Sequence, residues 1–347
     1  MSALISALKR AWPKLRRWVP LLIAAGLLYF IVAAVNPLTL AAAARNFDWV
    51  YLLPLACCYL LYLAFRSARW HLLMQPLRAP NSWTDSLLLF AAAQSAVMVP
   101  AGQFLLPVLQ KSQHGTLIRR SAATVLVQEI IFGILVLPAA LPGILGYHVA
   151  GWILLAAAII SIGAGALVLH EGIANICLFV IHHLPLVSRH GPHLRDLRNQ
   201  CVLVVNTREA ILGSVFDLAA IAAAGTGFYI ALVGLGQAHV GWVGAIGTYA
   251  FGNAVATLTA LPGGLGANEG ASVGVLNHLG LAAGPAAAAT LIFRAVTLLL
   301  GTLLGWVVLL LCRRRFRMTT SLGSLLAAAA KGSQEAHSEQ PLLTTQP

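Results

Sequence analysis

Charged residues are scarce in this 347-residue chain, at 9% of the sequence, whereas 59% of it is hydrophobic. Soluble globular proteins carry roughly 25% charged residues. With so few charges, most of the molecular surface does not face water, and no single core of this size buries so much apolar sequence. A lipid bilayer removes the conflict because acyl chains surround the apolar residues. The composition therefore predicts an all-α polytopic membrane protein and excludes an ordinary soluble domain.

Acidic residues are scarcer still, with 10 Asp and Glu against 22 Lys and Arg, and the formal net charge is +12. The basic residues do not form one solvated face of the kind that binds nucleic acid. They fall in clusters between apolar stretches, at 9–17, 66–78, 111–120, 189–208 and 313–317. This is typical of cytoplasmic loops. We expect no nucleic-acid partner and predict a multi-pass protein of the cell's inner (plasma) membrane with both termini cytoplasmic.

Motifs of soluble catalysis are absent from the sequence. It contains no Walker A motif, no Gly-x-Ser-x-Gly and no His-Glu-x-x-His, and its five cysteines fit no zinc or haem spacing. No nucleophile–base pair is visible either. We therefore expect that the chain is not an enzyme, does not pump with ATP by itself, and uses no metal or cofactor.

Six apolar stretches are long enough for membrane spans: 19–35, 49–65, 122–142, 150–169, 210–235 and 286–311. The segment 170–208 is too polar to span, and we predict only an interfacial helix at 172–184 within it. The predicted organisation is a basic interfacial N-terminus at 1–18, a transmembrane domain at 19–312, and a basic, then disordered, cytoplasmic tail at 313–347.

Two further apolar segments, 86–109 and 242–282, are interrupted by proline and glycine. In each, a helix of small residues stops at a turn, Pro100-x-Gly102 or Pro262-Gly263-Gly264. If both segments are re-entrant hairpins, every basic cluster is cytoplasmic; if both cross the membrane, the clusters at 111–120 and 189–208 become external. The predicted architecture is thus about six transmembrane helices plus two re-entrant helical hairpins in an inverted repeat. Transporters commonly use this plan, with the site near the midplane.

Three charged residues lie in or next to apolar segments, where a charge needs a partner or a function. They are Glu129, Glu269 and Arg294. In the functional interpretation they converge on one polar cavity, where Arg294 binds an anionic group such as a lipid phosphate. In the structural interpretation, Arg294 forms a buried salt bridge with Glu129 or Glu269. The sequence leaves both interpretations open.

Other candidate site residues surround these charges. The glycines after Pro262 free backbone N–H groups that hold an anion, or else form only a tight turn. Arg69 meets a headgroup that enters from the cytoplasm, or else belongs with Trp70 to the positive-inside and aromatic residues of the membrane surface. The other candidates in the break are Gly263, Gly264, Gly266 and Asn268. The polar residues Asn253 and Gln94 are expected to lie beside it.

Several of these pieces resemble a known family. They are Arg66-x-x-Arg69-Trp70, Val99-Pro100-Ala101-Gly102, Glu129, the stretch from Leu261 to Glu269 (Leu-Pro-Gly-Gly-Leu-Gly-Ala-Asn-Glu), and Arg294. Together they resemble the transmembrane domain of lysylphosphatidylglycerol synthase/flippase proteins, over about residues 15–315. The resemblance implies translocation of an aminoacylated phospholipid across the bilayer.

Two departures from the family pattern change the expectation. The sequence has no soluble aminoacyltransferase domain, so we expect no synthesis of lysylphosphatidylglycerol. The Gly-Glu-x-x-Arg motif frequent in the family is replaced by Gly102-Gln103-Phe104-Leu105-Leu106. The leading hypothesis is a lipid flippase-like transporter for an anionic or aminoacylated (phospho)lipid. The alternative is a non-transporting accessory subunit of a lipid- or glycan-modifying enzyme. A membrane lipid is the expected partner, and the oligomeric state stays open.

Overall fold

The computed structural model describes residues 42, 45–77, 81–97, 102–173, 175, 191–259 and 264–316. All regular secondary structure in these ranges is helical. The α-helices are α1 Leu52–Met74, α2 Trp83–Ala93, α3 Leu105–His114, α4 Ile118–Ile144, α5 His148–Leu169, α6 Gly191–Val205, α7 Arg208–Gly234, α8 Gly241–Thr259, α9 Ala267–His278 and α10 Ala283–Leu311. The predicted N-terminal segment 1–18, the span at 19–35, the tail at 318–347 and most of 172–184 lie outside the described residues.

Five of the described helices are long and apolar enough to cross a membrane. They are α1 together with the 3-10 turn before it, α4, α5, α7 and α10. Large apolar side chains on these helices point outward, including Trp152, Ile159 and Leu303. Such side chains suit contact with lipid tails, and the all-α polytopic fold is confirmed. Five of the six predicted spans correspond to these helices.

Helix α1 continues well beyond the predicted end of its span at residue 65. It runs to Met74, and Arg66, Arg69 and Trp70 are buried within it. The apolar stretch stops at Arg66, but nothing there breaks a helix, because the segment holds neither proline nor glycine up to Met74. Arg69 and Trp70 are therefore not on the surface of the protein, where an aromatic belt would place them.

Helix α6 lies in the segment for which we expected no further helix. Its residues Leu194, Leu197, Cys201 and Val204 recur at helical spacing. Cys201 and Val204 are buried, and the Cys201 thiol donates to the Ala123 carbonyl of α4 at 3.8 Å. This helix is too polar to span, but one apolar stripe is enough to attach it to α4.

Both interrupted segments form two helices separated by a break. In the first, α2 continues as a 3-10 turn, Gln94–Ala96, and the chain resumes at the 3-10 turn Gly102–Phe104 and α3. In the second, α8 ends at Thr259 and α9 begins at Ala267. Helix α2 packs against α3, and α8 against α9, so the chain reverses at each break. The helix–break–helix form is confirmed, while re-entry into the bilayer stays a prediction.

Helices from the two halves of the chain pack against each other. We call α1–α4 the first repeat and α7–α10 the second. The leading helices, α1 and α7, pack against each other extensively. The second hairpin packs on α4, which follows the first hairpin, and α10 packs on α2 and its 3-10 turn. Each hairpin thus contacts the span that belongs to the other repeat.

Glycines make these cross-repeat contacts close. A Cβ on Gly143 of α4 would lie 2.8 Å from the Gly247 carbonyl carbon of α8. A Cβ on Gly305 of α10 would overlap the backbone nitrogen of Ser95, beside the first hairpin's break. Small residues that let helix backbones approach are the usual means of helix packing in membranes. The same device therefore serves both repeat contacts.

Asp85 in the first hairpin ties this element to the end of α10. Its Oδ1 accepts hydrogen bonds from Gln113 Nε2 and Arg315 Nη2, each at 2.6 Å, and Ser82 donates to Oδ2 at 2.7 Å. Burial alone would raise the pKa of Asp85, but the hydrogen bonds from Ser82 and Gln113 and the Arg315 charge lower it below its ordinary value. The carboxylate is therefore ionised at neutral pH.

Alanine at Gly305 tests the close packing of the repeats. Its methyl group would overlap the backbone beside Ser95, so we expect the free energy of unfolding to fall by roughly 1–3 kcal/mol. Gly163→Ala in α5 is the matched control, since no atom lies within 4 Å of its added Cβ. Thermal unfolding of the two variants in detergent measures the difference. Equal melting temperatures would contradict this packing.

Candidate functional site

Two arginines of α1 are buried one helical turn apart. Arg66 is 7% exposed and Arg69 is 0% exposed. Residues three apart on a helix project from neighbouring positions on one face, so both guanidinium groups approach the same neighbours. Two buried cations at this depth require counter-charges.

Asp217 of α7 supplies one of these counter-charges. Its Oδ1 accepts a hydrogen bond from Arg69 Nη1 and lies 3.4 Å from Arg66 Nη1. The other terminal nitrogen of Arg69 donates to the Gln128 carbonyl of α4. Gly213, one turn before Asp217, packs against the arginine, because a Cβ there would sit in ordinary contact with Arg69 Cγ, at 3.4 Å. Asp217 is 0% exposed, so this pair is closed to solvent.

Glu129 of α4 supplies the other counter-charge. Its Oε1 accepts a hydrogen bond from Arg66 Nη2 at 2.9 Å. Unlike Asp217, its side chain is 39% exposed. The Arg66 guanidinium also lies over the Phe132 ring, 4.6 Å from the centroid. Two arginines and two carboxylates thus form a charge-balanced group, of which Glu129 is the open edge.

Arg294 of α10 and Glu269 of α9 form a second balanced pair. Arg294 Nε donates to Glu269 Oε1 at 2.8 Å. Glu269 Oε2 accepts from the backbone N–H of Gly266 at 2.6 Å, at the start of α9. An acidic residue in the first turn also suits the positive end of a helix. One carboxylate therefore fixes both the hairpin break and the arginine of the last span.

The glycine-rich break has the backbone geometry that glycine allows. Gly264 and Gly266 have φ values of 65° and 83°. A Cβ on Gly264 would lie 2.6 Å from that of Ala256, so the turn also packs closely on α8. The freed N–H of Gly266 binds the chain's own Glu269 rather than an external anion. Gly263 lies outside the described residues.

Tyrosines lie near both charge groups. Tyr59 and Tyr62 of α1 stack with ring centroids 5.9 Å apart. Tyr249 of α8 is buried and lies within electrostatic range of both Arg66 and Arg294. Its ring meets Phe293, the neighbour of Arg294, edge to face at 5.9 Å. Tyr249 is therefore close to both the Arg66 group and the Arg294 pair.

The six charges form what we call the polar layer: Arg66, Arg69, Glu129, Asp217, Glu269 and Arg294. The described residues bury two apolar cores, one around Phe132, Ile221 and Phe293 and the other around Val127, Ala210 and Leu309. On α4, α7 and α10, the charge lies between residues of one core and residues of the other. These three charges therefore lie within the spans and away from the helix ends, whereas Arg66 and Arg69 lie nearer the C-terminal end of α1.

The structure separates the predicted site residues into two ion-paired groups. Glu269 pairs with Arg294, as the structural interpretation allowed, whereas Glu129 pairs with Arg66 instead. Asn268 is buried and accepts from Ser272 at 3.4 Å. Asn253 and Gln94 donate to carbonyls of their own helices, Tyr249 and Phe90. A common cavity for all of these residues stays a prediction.

Sequence reasoning missed Asp217 and gave Arg66 too little weight. Asp217 interrupts the apolar run from Ile211 to Ala224, which was a sufficient signal under the rule used for Glu129. Arg66 was assigned to a loop because the apolar stretch ends there. The salt bridge between α1 and α7 was not visible from the sequence, because it depends on how the two repeats pack.

The fold and the polar layer define a multi-pass helical membrane protein. The chain belongs to the family described as the lysylphosphatidylglycerol synthase TM region, whose sequence model matches residues 17–305. This confirms the resemblance derived from the motifs. No curated protein matches the chain in a sequence comparison.

Replacement of Asp217 by asparagine tests the closed part of the polar layer. It leaves Arg69 buried without its counter-charge, so we expect the free energy of unfolding to fall by roughly 3–5 kcal/mol. The control Asp196→Asn removes the exposed Arg119–Asp196 pair at 3.2 Å and should cost less than about 1 kcal/mol. Denaturant unfolding in mixed micelles measures both.

A double variant sharpens this test. Arg69→Gln together with Asp217→Asn removes both charges and should be more stable than Asp217→Asn alone. Additive losses for the two substitutions would show that Arg69 and Asp217 do not act as a pair.

Proposed function

We propose that this protein moves an anionic or aminoacylated phospholipid between the leaflets of its membrane. The observation that carries the proposal is the polar layer itself, with Glu129 open at its edge. A carboxylate whose side chain is 39% exposed midway along a span cannot face lipid tails without a large cost. We infer that water or a polar headgroup reaches this depth.

Arginine chemistry supports a phosphate-bearing ligand. A guanidinium group binds phosphate oxygens with two parallel hydrogen bonds and keeps its charge when it is buried. Arg66 and Arg294 both stand in the polar layer, and Tyr249 lies within electrostatic range of each. A headgroup bound here would contact both repeats, since Arg66 belongs to the first and Arg294 to the second.

The packing of the repeats supports a function in transport rather than one as a static scaffold. Transporters with inverted repeats place substrate at the repeat interface and expose it alternately by moving one repeat against the other. Here α1 packs against α7, the second hairpin packs on α4, and α10 packs on the first hairpin. Family membership supports the same direction, because the motif resemblance implies translocation of a phospholipid.

The proposal includes the membrane arrangement. Both hairpins re-enter the bilayer from opposite faces, both termini are cytoplasmic, and the membrane is the cell's inner (plasma) membrane. Under this arrangement Lys111, Arg119 and Arg313 are all cytoplasmic. The chain carries out no covalent chemistry in this proposal, and its partner is the lipid.

Arg294→Gln in reconstituted vesicles tests the function. Purified protein is placed in liposomes with fluorescent phosphatidylglycerol, and chemical quenching reports the lipid in the outer leaflet. We expect the wild type to accelerate exchange between leaflets and Arg294→Gln to slow it by roughly tenfold or more, as expected for loss of a charged hydrogen bond.

Arg119→Gln is the matched control, because it removes an arginine near the start of α4 whose salt bridge to Asp196 is exposed. Arg294→Lys keeps the positive charge. If it retains lipid exchange while Arg294→Gln loses it, the missing charge and not misfolding explains the loss. Wild-type vesicles that exchange lipid no faster than empty ones would sink the proposal and favour the accessory-subunit alternative. Unchanged exchange by a folded Arg294→Gln variant would remove Arg294 from the site.

A further inference from the structure

The two carboxylates that neutralise Arg66 and Arg69 are held very differently. Asp217 is closed to solvent and shared by both arginines, which fix it from α1. Glu129 binds only Arg66 among the described residues, through one hydrogen bond at 2.9 Å, and 39% of its side chain is exposed. Asp217 is therefore held in a fixed position, whereas Glu129 lies at the solvent-accessible edge of the group.

We propose that Glu129 is an exchangeable counter-ion, which a lipid phosphodiester displaces from Arg66 when the headgroup binds. This inference rests on the proposed lipid function and deepens it by assigning the phosphate to Arg66. The exchange needs no net change in the charge of Arg66, because one anion replaces another. Asp217 keeps both arginines in place while the exchange occurs.

Arg66 is suited to this exchange by the rest of its surroundings. Its guanidinium is held over the Phe132 ring at 4.6 Å, so the cation stays positioned when Glu129 leaves. Its Nε atom, like that of Arg69, is buried and has no hydrogen-bond partner in the described part of the chain. Arg69 cannot take this role, since Asp217 and the Gln128 carbonyl occupy its terminal nitrogens and its side chain is 0% exposed.

Charge balance assigns a second task to the released Glu129. The group of two arginines and two carboxylates is neutral before the ligand arrives, so a phosphate adds one negative charge. A headgroup that also carries an ammonium group offsets this charge by pairing with Glu129. The site would therefore bind an anionic lipid through Arg66 alone, and an aminoacylated lipid through Arg66 and Glu129 together.

Substitutions of the two partners should change lipid binding in opposite directions. Glu129→Gln removes the competing anion, so phosphatidylglycerol should bind roughly tenfold more tightly, the value of one charge-assisted hydrogen bond. Arg66→Gln removes the cation that binds the phosphodiester, so phosphatidylglycerol and phosphatidylethanolamine should both bind roughly tenfold more weakly. Native mass spectrometry of the purified full chain, titrated with each lipid, measures these affinities.

Controls separate the exchange from a structural role and from the transport proposal. Asp196→Asn, which removes an exposed carboxylate elsewhere, should leave both affinities unchanged, and Glu129→Asp keeps the carboxylate and should not show the gain. If Glu129→Gln and Arg66→Gln both weaken phosphatidylglycerol binding, Glu129 is a fixed structural partner and the inference fails. If inorganic phosphate at a concentration equal to that of the lipid displaces it, free phosphate is the ligand at Arg66 and the assignment to a lipid headgroup fails.

Because this measurement reports binding, its result is independent of the vesicle assay. Opposite shifts in a protein that exchanges no lipid would uphold the counter-ion role while removing the transport function. If both variants weaken lipid binding in a protein that does exchange lipid, the counter-ion role fails and the transport function stands.

Discussion

The salt bridge between the arginines of α1 and Asp217 of α7 is the interaction on which the rest of the structure depends. It joins the leading helices of the two repeats, whose contact is extensive. At bilayer depth an unpaired ion is expensive, so neither helix can hold its charge without the other. The requirement fixes the rotation of both helices about their axes. It thereby orients α1 so that Arg66 also reaches Glu129 of α4.

The polar layer contains little net charge despite its many ionised side chains. Arg66 and Arg69 balance Asp217 and Glu129, and Arg294 balances Glu269. A neutral group of charges is tolerated in the membrane without a ligand, whereas an unpaired arginine is not. Binding in such a site is a competition between internal and external anions, so selectivity depends on how firmly each internal partner is held.

Much of the fold followed from the sequence, because long apolar runs and Pro-Gly breaks are local features. The five described spans and both breaks were predictable for this reason. The length of α1 was not, since hydropathy ends at Arg66 whereas the backbone continues to Met74. The partners of Glu129 were also not predictable, because its ion pair with Arg66 links distant parts of the chain. Asp217 was visible as an acid in an apolar run, but its importance depends on the arginines facing it.

The carboxylate of Glu269 has a mechanical consequence. One oxygen holds the backbone of the second hairpin at Gly266, and the other holds Arg294 in α10. The hairpin tip and the last span are thus linked through a single rigid group of three atoms. A displacement between them larger than the reach of the Glu269 and Arg294 side chains must break one of the two bonds. The lifetime of these bonds therefore sets an upper limit on how fast the tip can move independently of the span.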